Sequence, residues 1–142
     1  MPYQVLPTSD GHIIIACGND GQYSRFCGIL NRPDLATHAD YATNPLRVKN
    51  REVLVPILQE ETRKFTKGDL LKACEDNTVP AGPINNLHEL FQDPHIQSRG
   101  MQLELEGLPA VRSPMRFSKS DLATKSPAPK LGDHTNNLLK KI

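Results

Sequence analysis

Tryptophan does not occur in these 142 residues, and aromatic side chains make up only 5% of them. A core built from this chain must rest on aliphatic groups, with four Phe and three Tyr as its large anchors. Cysteine is scarce. Cys17, Cys27 and Cys74 form an odd set without metal-like spacing, so they are expected as reduced thiols, the usual state in the cytosol. Neither sign of charge dominates: 17 basic side chains face 16 acidic ones. No basic stripe stands out, which argues against nucleic acid or an anionic membrane as partner. The longest apolar run, Ile13 to Cys17, is far too short to span a bilayer. The opening Met1-Pro2-Tyr3-Gln4-Val5-Leu6 lacks the charged and long apolar regions of a signal peptide. The expected location is therefore cytoplasmic.

What is present reads as one domain, or one domain with an extension. A chain of this length can bury ~68–70% of its unfolded surface. A strand pattern starts at Tyr3 with almost no lead-in, which suggests the stump of something longer; a naturally short protein whose first strand lies near its end is the alternative. Tyr3 to Leu6 and His12 to Cys17 read as two strands of a hairpin around Thr8-Ser9-Asp10-Gly11, with Gly11 free to take positive φ. Three consecutive isoleucines suit a strand buried on both faces. Asn19 can cap a helix that buries Tyr23, Phe26, Cys27 and Leu30 at i, i+3, i+4, i+7 spacing. Arg32-Pro33-Asp34 stops it and starts a short turn of helix through Ala36.

Asn44-Pro45 starts a long segment with Leu46, Val53, Leu54, Ile57 and Leu58 on one side, kinked at Pro56. Thr66-Lys67-Gly68-Asp69 resembles a capping box leading a helix with Leu70, Leu71 and Cys74 inward. Val79 to Ile84 carries two prolines, so it reads as an extended edge or loop. Asn86 with Glu89 starts a helix expected to bury Leu87, Leu90 and Phe91. Asp93-Pro94 starts another, which Gly100 ends. Met101 to Glu106 alternates as a strand, Gly107-Leu108-Pro109 turns it, and Ala110 to Phe117 is expected to return as its partner, interrupted by Pro114. Ser118 to Lys130 has the composition of a tether. A last helix, Thr135 to Lys141, carries Leu138, Leu139 and Ile142, which need a surface to dock on. The fold class these elements imply is α+β: a small antiparallel sheet with several packed helices, plus a C-terminal extension ending in a short helix.

Few residues offer chemistry by themselves. Gly18-Asn19-Asp20-Gly21 lies between a strand and a helix, where phosphate loops sit, but it lacks the glycine fingerprint and any P-loop lysine. Asp20 would put a negative charge where a phosphate should go, so a structural turn is the expected role. None of His12, His38, His88, His95 and His134 is in an HExxH arrangement or beside a CxxC, and no metal site is expected. Ser9-Asp10-Gly11-His12 holds the three triad residue types in a turn, without a nucleophile elbow. Cys27 and Cys74 fall on helix faces expected to be buried, as inert core thiols. Asp133-His134 reads as a turn and cap, with an imidazole that could grip an anion as the functional alternative. Val79-Pro80-Ala81-Gly82-Pro83 is stiff enough to line a cleft, or to serve only as a rigid connector.

Three signatures in fixed order say more. They are Pro7-Thr8-Ser9-Asp10-Gly11-His12 through Gly18-Asn19-Asp20; Val79-Pro80-Ala81-Gly82-Pro83-Ile84 with Asp93-Pro94 and Arg99-Gly100-Met101; and Ser113-Pro114-Met115-Arg116-Phe117-Ser118 with Leu131-Gly132-Asp133-His134-Thr135. Together they resemble the C-terminal part of the class III coenzyme A transferases, the group of formyl-CoA transferase, carnitine CoA-transferase and alpha-methylacyl-CoA racemase. The resemblance runs from Tyr3 to the C-terminus and covers about the last third of a full-length member. It implies a small α+β domain over residues 1–108 and a segment over 109–142 that returns to a large domain. That large domain would bind the CoA thioester substrate and carry the aspartate that forms acyl-anhydride and aspartyl-CoA intermediates. Two full-length subunits would interlock as a homodimer.

Asp10, Asp20 and Asp34 fall in small-domain motifs, so no catalytic residue is carried over to this chain, no cofactor is expected on it alone, and the isolated chain is expected to be inactive. The missing large domain is the expected partner. A non-catalytic module completing a separately encoded large domain, or part of an acyl-CoA racemase, are the alternatives.

Overall fold

A computed structural model describes residues 1–122 and 126–140. The chain divides into two compact units, Met1–Asn85 and Asn86–Ile142. Among the described residues the elements are five short strands in two antiparallel sheets and eight helices, an α+β fold as the sequence implies.

In the first unit, β1 (Tyr3–Pro7) and β2 (His12–Ala16) form the expected hairpin, with Val5 opposite Ile14 and Leu6 opposite Ile13. β3 (Ala81–Ile84) pairs antiparallel with the other side of β2, giving the order β1-β2-β3. The proline-bearing segment is thus an edge strand, where a missing N–H costs least. The triple isoleucine does not bury both faces. Ile13 and Ile15 are fully buried while Ile14 is half-buried, because an antiparallel sheet alternates and helices cover only one side. Gly11 does not take positive φ. The turn closes through Thr8 N–H to the Gly11 carbonyl at 2.8 Å, and the Asp10 carboxylate accepts from the Thr8 hydroxyl and from Lys67 N–H.

Helix α1 (Asp20–Ile29) starts at Asn19, whose side chain accepts from Gln22 N–H at 2.9 Å. It buries Tyr23, Phe26 and Cys27. Its end is a Schellman cap: Arg32 N–H reaches the Cys27 carbonyl, Asn31 N–H reaches Gly28, and Asn31 takes φ 55°. Helix α2 (Pro33–Thr37) follows. The long helix foreseen after Asn44 is two helices, α3 (Asn44–Lys49) and α4 (Arg51–Thr62). The break falls at Asn50, whose side chain donates to the Leu46 and Asp40 carbonyls, and not at Pro56, which α4 carries within it. Val53 is exposed rather than inward, because the break resets the buried face to Leu54 and Leu58. Helix α5 (Lys67–Asp76) is capped by Thr66, which accepts from Asp69 N–H at 3.1 Å, and buries Leu70 and Cys74.

These elements enclose one core that includes Leu6, Ile13, Ile15, Phe26, Leu54, Leu58 and Leu70. Complete burial of each large aliphatic or phenyl group contributes about 1.5–3 kcal/mol. Arg47 is also fully buried. Its Nε donates to the Met1 carbonyl at 2.7 Å, Nη1 to the Tyr41 carbonyl at 2.9 Å and Nη2 to Asp20 Oδ1 at 2.6 Å, and its guanidinium lies 4.2 Å from the Tyr23 ring centroid. Each of the three guanidinium nitrogens donates to a fixed partner, and a buried charge is tolerated where it is paired and hydrogen-bonded in this way.

In the second unit, α6 (Leu87–Gln92) carries a complete capping box between Asn86 and Glu89. Helix α7 (Pro94–Ser98) is capped by Asp93, which accepts from His95 and Ile96 N–H, and it ends at Gly100 with φ 58°. β4 (Gln102–Leu105) pairs with β5 (Leu108–Val111). The turn is Glu106-Gly107, with φ 53° and 79°, rather than Gly107-Leu108-Pro109. Two positive φ values give the type I′ geometry whose twist matches a two-residue hairpin, so β5 starts earlier than expected. Helix α8 (Thr135–Leu139) lies within the predicted Thr135 to Lys141; Lys141 and Ile142 fall outside the described residues.

No described side chain of residues 86–142 is buried. Leu87 is exposed, and Leu90 and Phe91 are only half-buried, against the expectation that all three lie inward. The unit's helices are too short to form a closed layer over them.

Candidate functional site

The strand-to-helix turn at Gly18-Asn19-Asp20-Gly21 is consumed by its own structure. Gly18 N–H donates to Gln22 Oε1 at 2.7 Å and the Asn19 side chain caps the helix. Asp20 is the residue that Arg47 grips, and that hydrogen bond holds its carboxyl below the ordinary carboxylate value. A buried cation, invisible to helix periodicity, satisfies the very group that would repel a phosphate. The only signal for it in the sequence is an arginine one position after Leu46 in a segment otherwise read as amphipathic.

The turn holding Ser9, Asp10 and His12 does not assemble a triad. The Ser9 hydroxyl donates to the Phe65 carbonyl at 3.0 Å, the Asp10 carboxylate is bound by Lys67 N–H at 2.7 Å, and His12 is exposed. Asp34 is paired with Arg32 at 2.8 Å. All three thiols are buried. Burial pushes Cys17 up to about 12 and Cys74 up to about 11, and it also raises Cys27. Thiols so raised are not thiolates near neutral pH. His38 stacks on Tyr41 with centroids 4.7 Å apart, and His88, His95 and His134 are exposed. Among the described residues no group of three or more His, Cys, Asp and Glu could hold a metal ion. Asp133 accepts from Lys130 N–H at 2.9 Å in a turn closed by Gly132 at φ 88°, with His134 at the cap of α8. Among the described residues no helix is long and apolar enough to cross a membrane.

The Val79-Pro80-Ala81-Gly82-Pro83 segment does line a cleft. A groove of about 630 Å³ runs between α5 and the segment entering β3, walled by Leu71, Lys72 and Glu75 on the helix, by Val79 and Pro80 just before the strand and by Pro83 on it. The wall is fixed at its start by Thr78, a β-branched residue at φ 54°. Left-handed backbone costs such a residue roughly 1–2 kcal/mol. A second Schellman cap imposes it: Val79 N–H reaches the Cys74 carbonyl at 2.8 Å and Thr78 N–H reaches Glu75 at 3.0 Å. Arg25 clamps the same point, donating to the Asn77 and Thr78 carbonyls at 2.8 and 3.2 Å. Neither the strain nor the clamp is legible in the sequence, where Thr78 carries no glycine-like signal. The groove is lined by one cation, Lys72, and one anion, Glu75.

A small α+β scaffold with a rigid proline-walled groove and neutral buried thiols is the class of molecule these observations define. The profile of CoA-transferase family III matches residues 1–135, and the chain belongs to that family. It is 45% identical over 99% of its length to the succinate–glutarate CoA-transferase of Agrobacterium fabrum, of which it covers 36%. It is 37% identical over its whole length to the human succinyl-CoA:glutarate CoA-transferase, of which it covers 34%. The crystal structure of a CaiB/BaiF family protein from Brucella suis superposes with a TM-score of 0.83 at 43% identity, over 99% of this chain and 37% of that one. The chain thus spans about a third of the length of the curated relatives it matches.

Proposed function

We propose that this chain is the C-terminal structural third of an enzyme that moves CoA between carboxylic acids, and that the reactive carboxylate belongs to sequence it does not contain. Residues 1–108 serve as the small domain and 109–142 as the segment that returns to a large CoA-binding domain. The chemistry runs through an aspartyl-CoA thioester on that large domain, in an interlocked cytoplasmic homodimer. Covalent catalysis of this kind needs a positioned, ionised nucleophile and a pocket that orients the thioester. The observation that carries the reading is the joint one: similarity across nearly the whole chain to CoA-transferases about three times its length, with Asp10, Asp20 and Asp34 each engaged in a turn or ion pair.

Glutarate and succinate are the acids this reading favours, because the two relatives named above act on them by name. Their being transferases favours transfer over the racemase alternative. A second reading, a non-catalytic module completing a separately encoded large domain, draws on the exposed Leu138 and Leu139, which have no docking surface of their own.

The test replaces the matching third of the Agrobacterium fabrum enzyme with this chain and follows CoA transfer from succinyl-CoA to glutarate. The fusion is expected to turn over, and the chain alone is not. An inactive but folded fusion, or turnover by the chain alone, overturns the proposal.

A further inference from the structure

The segment Ser113 to Ser118 lies in the second unit, and the proposed transfer chemistry leaves it without a task. Arg112 directly follows β5, and Arg116 lies within the segment. The backbone that carries both is tied down. Arg112 N–H donates to the Met101 carbonyl at 2.8 Å, Arg99 Nη2 donates to the Pro114 carbonyl at 3.1 Å, and Met115 N–H donates to the Ser113 hydroxyl at 3.3 Å. A cleft of about 230 Å³ opens here with both arginines on its wall.

Arg47 spends all three of its guanidinium nitrogens on partners in the chain. Arg112 and Arg116 spend none: among the described residues neither guanidinium has an ion pair or a hydrogen bond. Two cations on one wall repel each other, and an anion bound to both removes that repulsion. Asp121 is the single acid on the cleft and is paired with neither arginine, so the cleft stays net positive. The Ser120 hydroxyl adds a further donor. Met115, Phe117 and Leu122 bring apolar carbon to the same wall, which inorganic phosphate would not use and a hydrocarbon chain would.

A planar guanidinium fork takes a carboxylate through two parallel hydrogen bonds. Two forks take two carboxylates, with the apolar wall against the carbons that join them. Volume sets the length of the acid. At ~30 Å³ for each water-sized group the cleft has room for about eight, enough for an acid of about four or five carbons and far too little for a whole coenzyme.

We propose that this cleft binds a small aliphatic dicarboxylate, one carboxylate on Arg112 and the other on Arg116. The transferase reading assigns no residue of this chain to a ligand, and the cleft's own chemistry carries the site whether or not that reading holds.

Titration of the isotope-labelled chain with sodium glutarate at constant ionic strength, followed by amide resonances, reads the site. Signals of Arg112, Met115, Phe117 and Ser120 are expected to move and saturate, while those of Phe26 and Leu58 stay in place. Arg112→Gln and Arg116→Gln should each weaken binding roughly tenfold, the loss of one charge-assisted pair. Pentanoate, with the same number of carbons and one carboxylate, should bind as weakly to the unaltered chain as glutarate does to those variants. Arg112→Lys keeps the charge, loses the fork and should fall between. Local opening of the second unit would lower every affinity by the same factor and leave the ratio of glutarate to pentanoate intact, so that ratio decides even if a variant fails to fold. No saturable shift overturns the proposal, and so does pentanoate or inorganic phosphate binding as tightly as glutarate, or binding unchanged in both glutamine variants. Glutarate binding by a chain whose fusion with the Agrobacterium fabrum enzyme transfers no CoA would leave the site standing and sink the transferase reading. An active fusion, with a chain that binds no dicarboxylate, would do the reverse.

Discussion

Residues 1–85 and 86–142 are built by different means. The first unit closes a core around Phe26, Leu54, Leu58 and Leu70, and it even accommodates a fully buried arginine. The second buries no described side chain, and its order comes from local devices: the Asn86–Glu89 capping box, the Asp93 cap, the Gly100 terminus and the Glu106-Gly107 turn. Local devices choose which secondary structure forms. They contribute about 1 kcal/mol each and do not hold elements together. The difference teaches that one unit has the means to fold alone, while the other has well-specified elements and exposed Leu87, Leu108, Val111, Met115 and Phe117 in search of a surface.

Substitutions that remove packing should separate the units most sharply. Phe26→Ala should cost about 3–5 kcal/mol, read as a fall in the denaturant midpoint of the first unit. Phe91→Ala, half-buried in the second, should leave that midpoint in place. A large shift from Phe91→Ala would show that the contrast is wrong. Arg47→Met should cost about 1.5–3 kcal/mol, because the Met1 and Tyr41 carbonyls and Asp20 lose their charged donor together. Double-mutant cycles with Asp20→Asn would report how much of that belongs to the ion pair. Asn86→Ala should cost about 1 kcal/mol, confined to α6 and visible as faster amide exchange there. Thr78→Gly should stabilise the first unit by up to about 1 kcal/mol by relieving left-handed strain, measured in the same denaturant series.

The smallest effect comes from pH. Asp10, held down by Lys67 N–H, Asp20 by Arg47, Asp34 by Arg32 and Glu61 by Lys64 all titrate below their ordinary values of 3.8 and 4.5. Folded-state values lowered in this way stabilise the protein above the ordinary range, and the contribution is lost as pH falls through the lowered values. Acid titration below about pH 4 should therefore destabilise the first unit, where all four sit, ahead of any change in the second. An acid-insensitive first unit would contradict the ion pairing.

Much of this was legible in the sequence, for reasons particular residues make plain. Asn19, Thr66, Asn86 and Asp93 announce helix starts because a short polar side chain reaching a free N–H is a local event. The hairpin around residues 8–11 and the edge position of Val79 to Ile84 follow from turn chemistry and from prolines that cannot donate. What escaped depends on distance in sequence. Arg47 reads as another cation on an amphipathic helix until Met1, Tyr41 and Asp20 are brought around it. The helix break at Asn50 rests on a side chain reaching back to Asp40 and Leu46, which outweighs the expected effect of Pro56. Thr78 has no local reason to be left-handed; the cap of α5 and the Arg25 clamp hold it there. The burial of Leu87, Leu90 and Phe91 was expected from periodicity, which reports an apolar stripe and not whether anything lies against it. At the candidate site, the stiffness of the proline wall was readable and the groove beside α5 was not.

Hydrogen exchange on the isolated chain tests the contrast most directly. Amides of Ile13, Ile15, Phe26 and Leu58 should exchange only through global unfolding of the first unit, and those of residues 87–111 should exchange far faster, through local opening. Equal protection of the two regions, lost in a single cooperative step, would contradict the claim that the second unit is ordered by local devices while the first is held by a closed core.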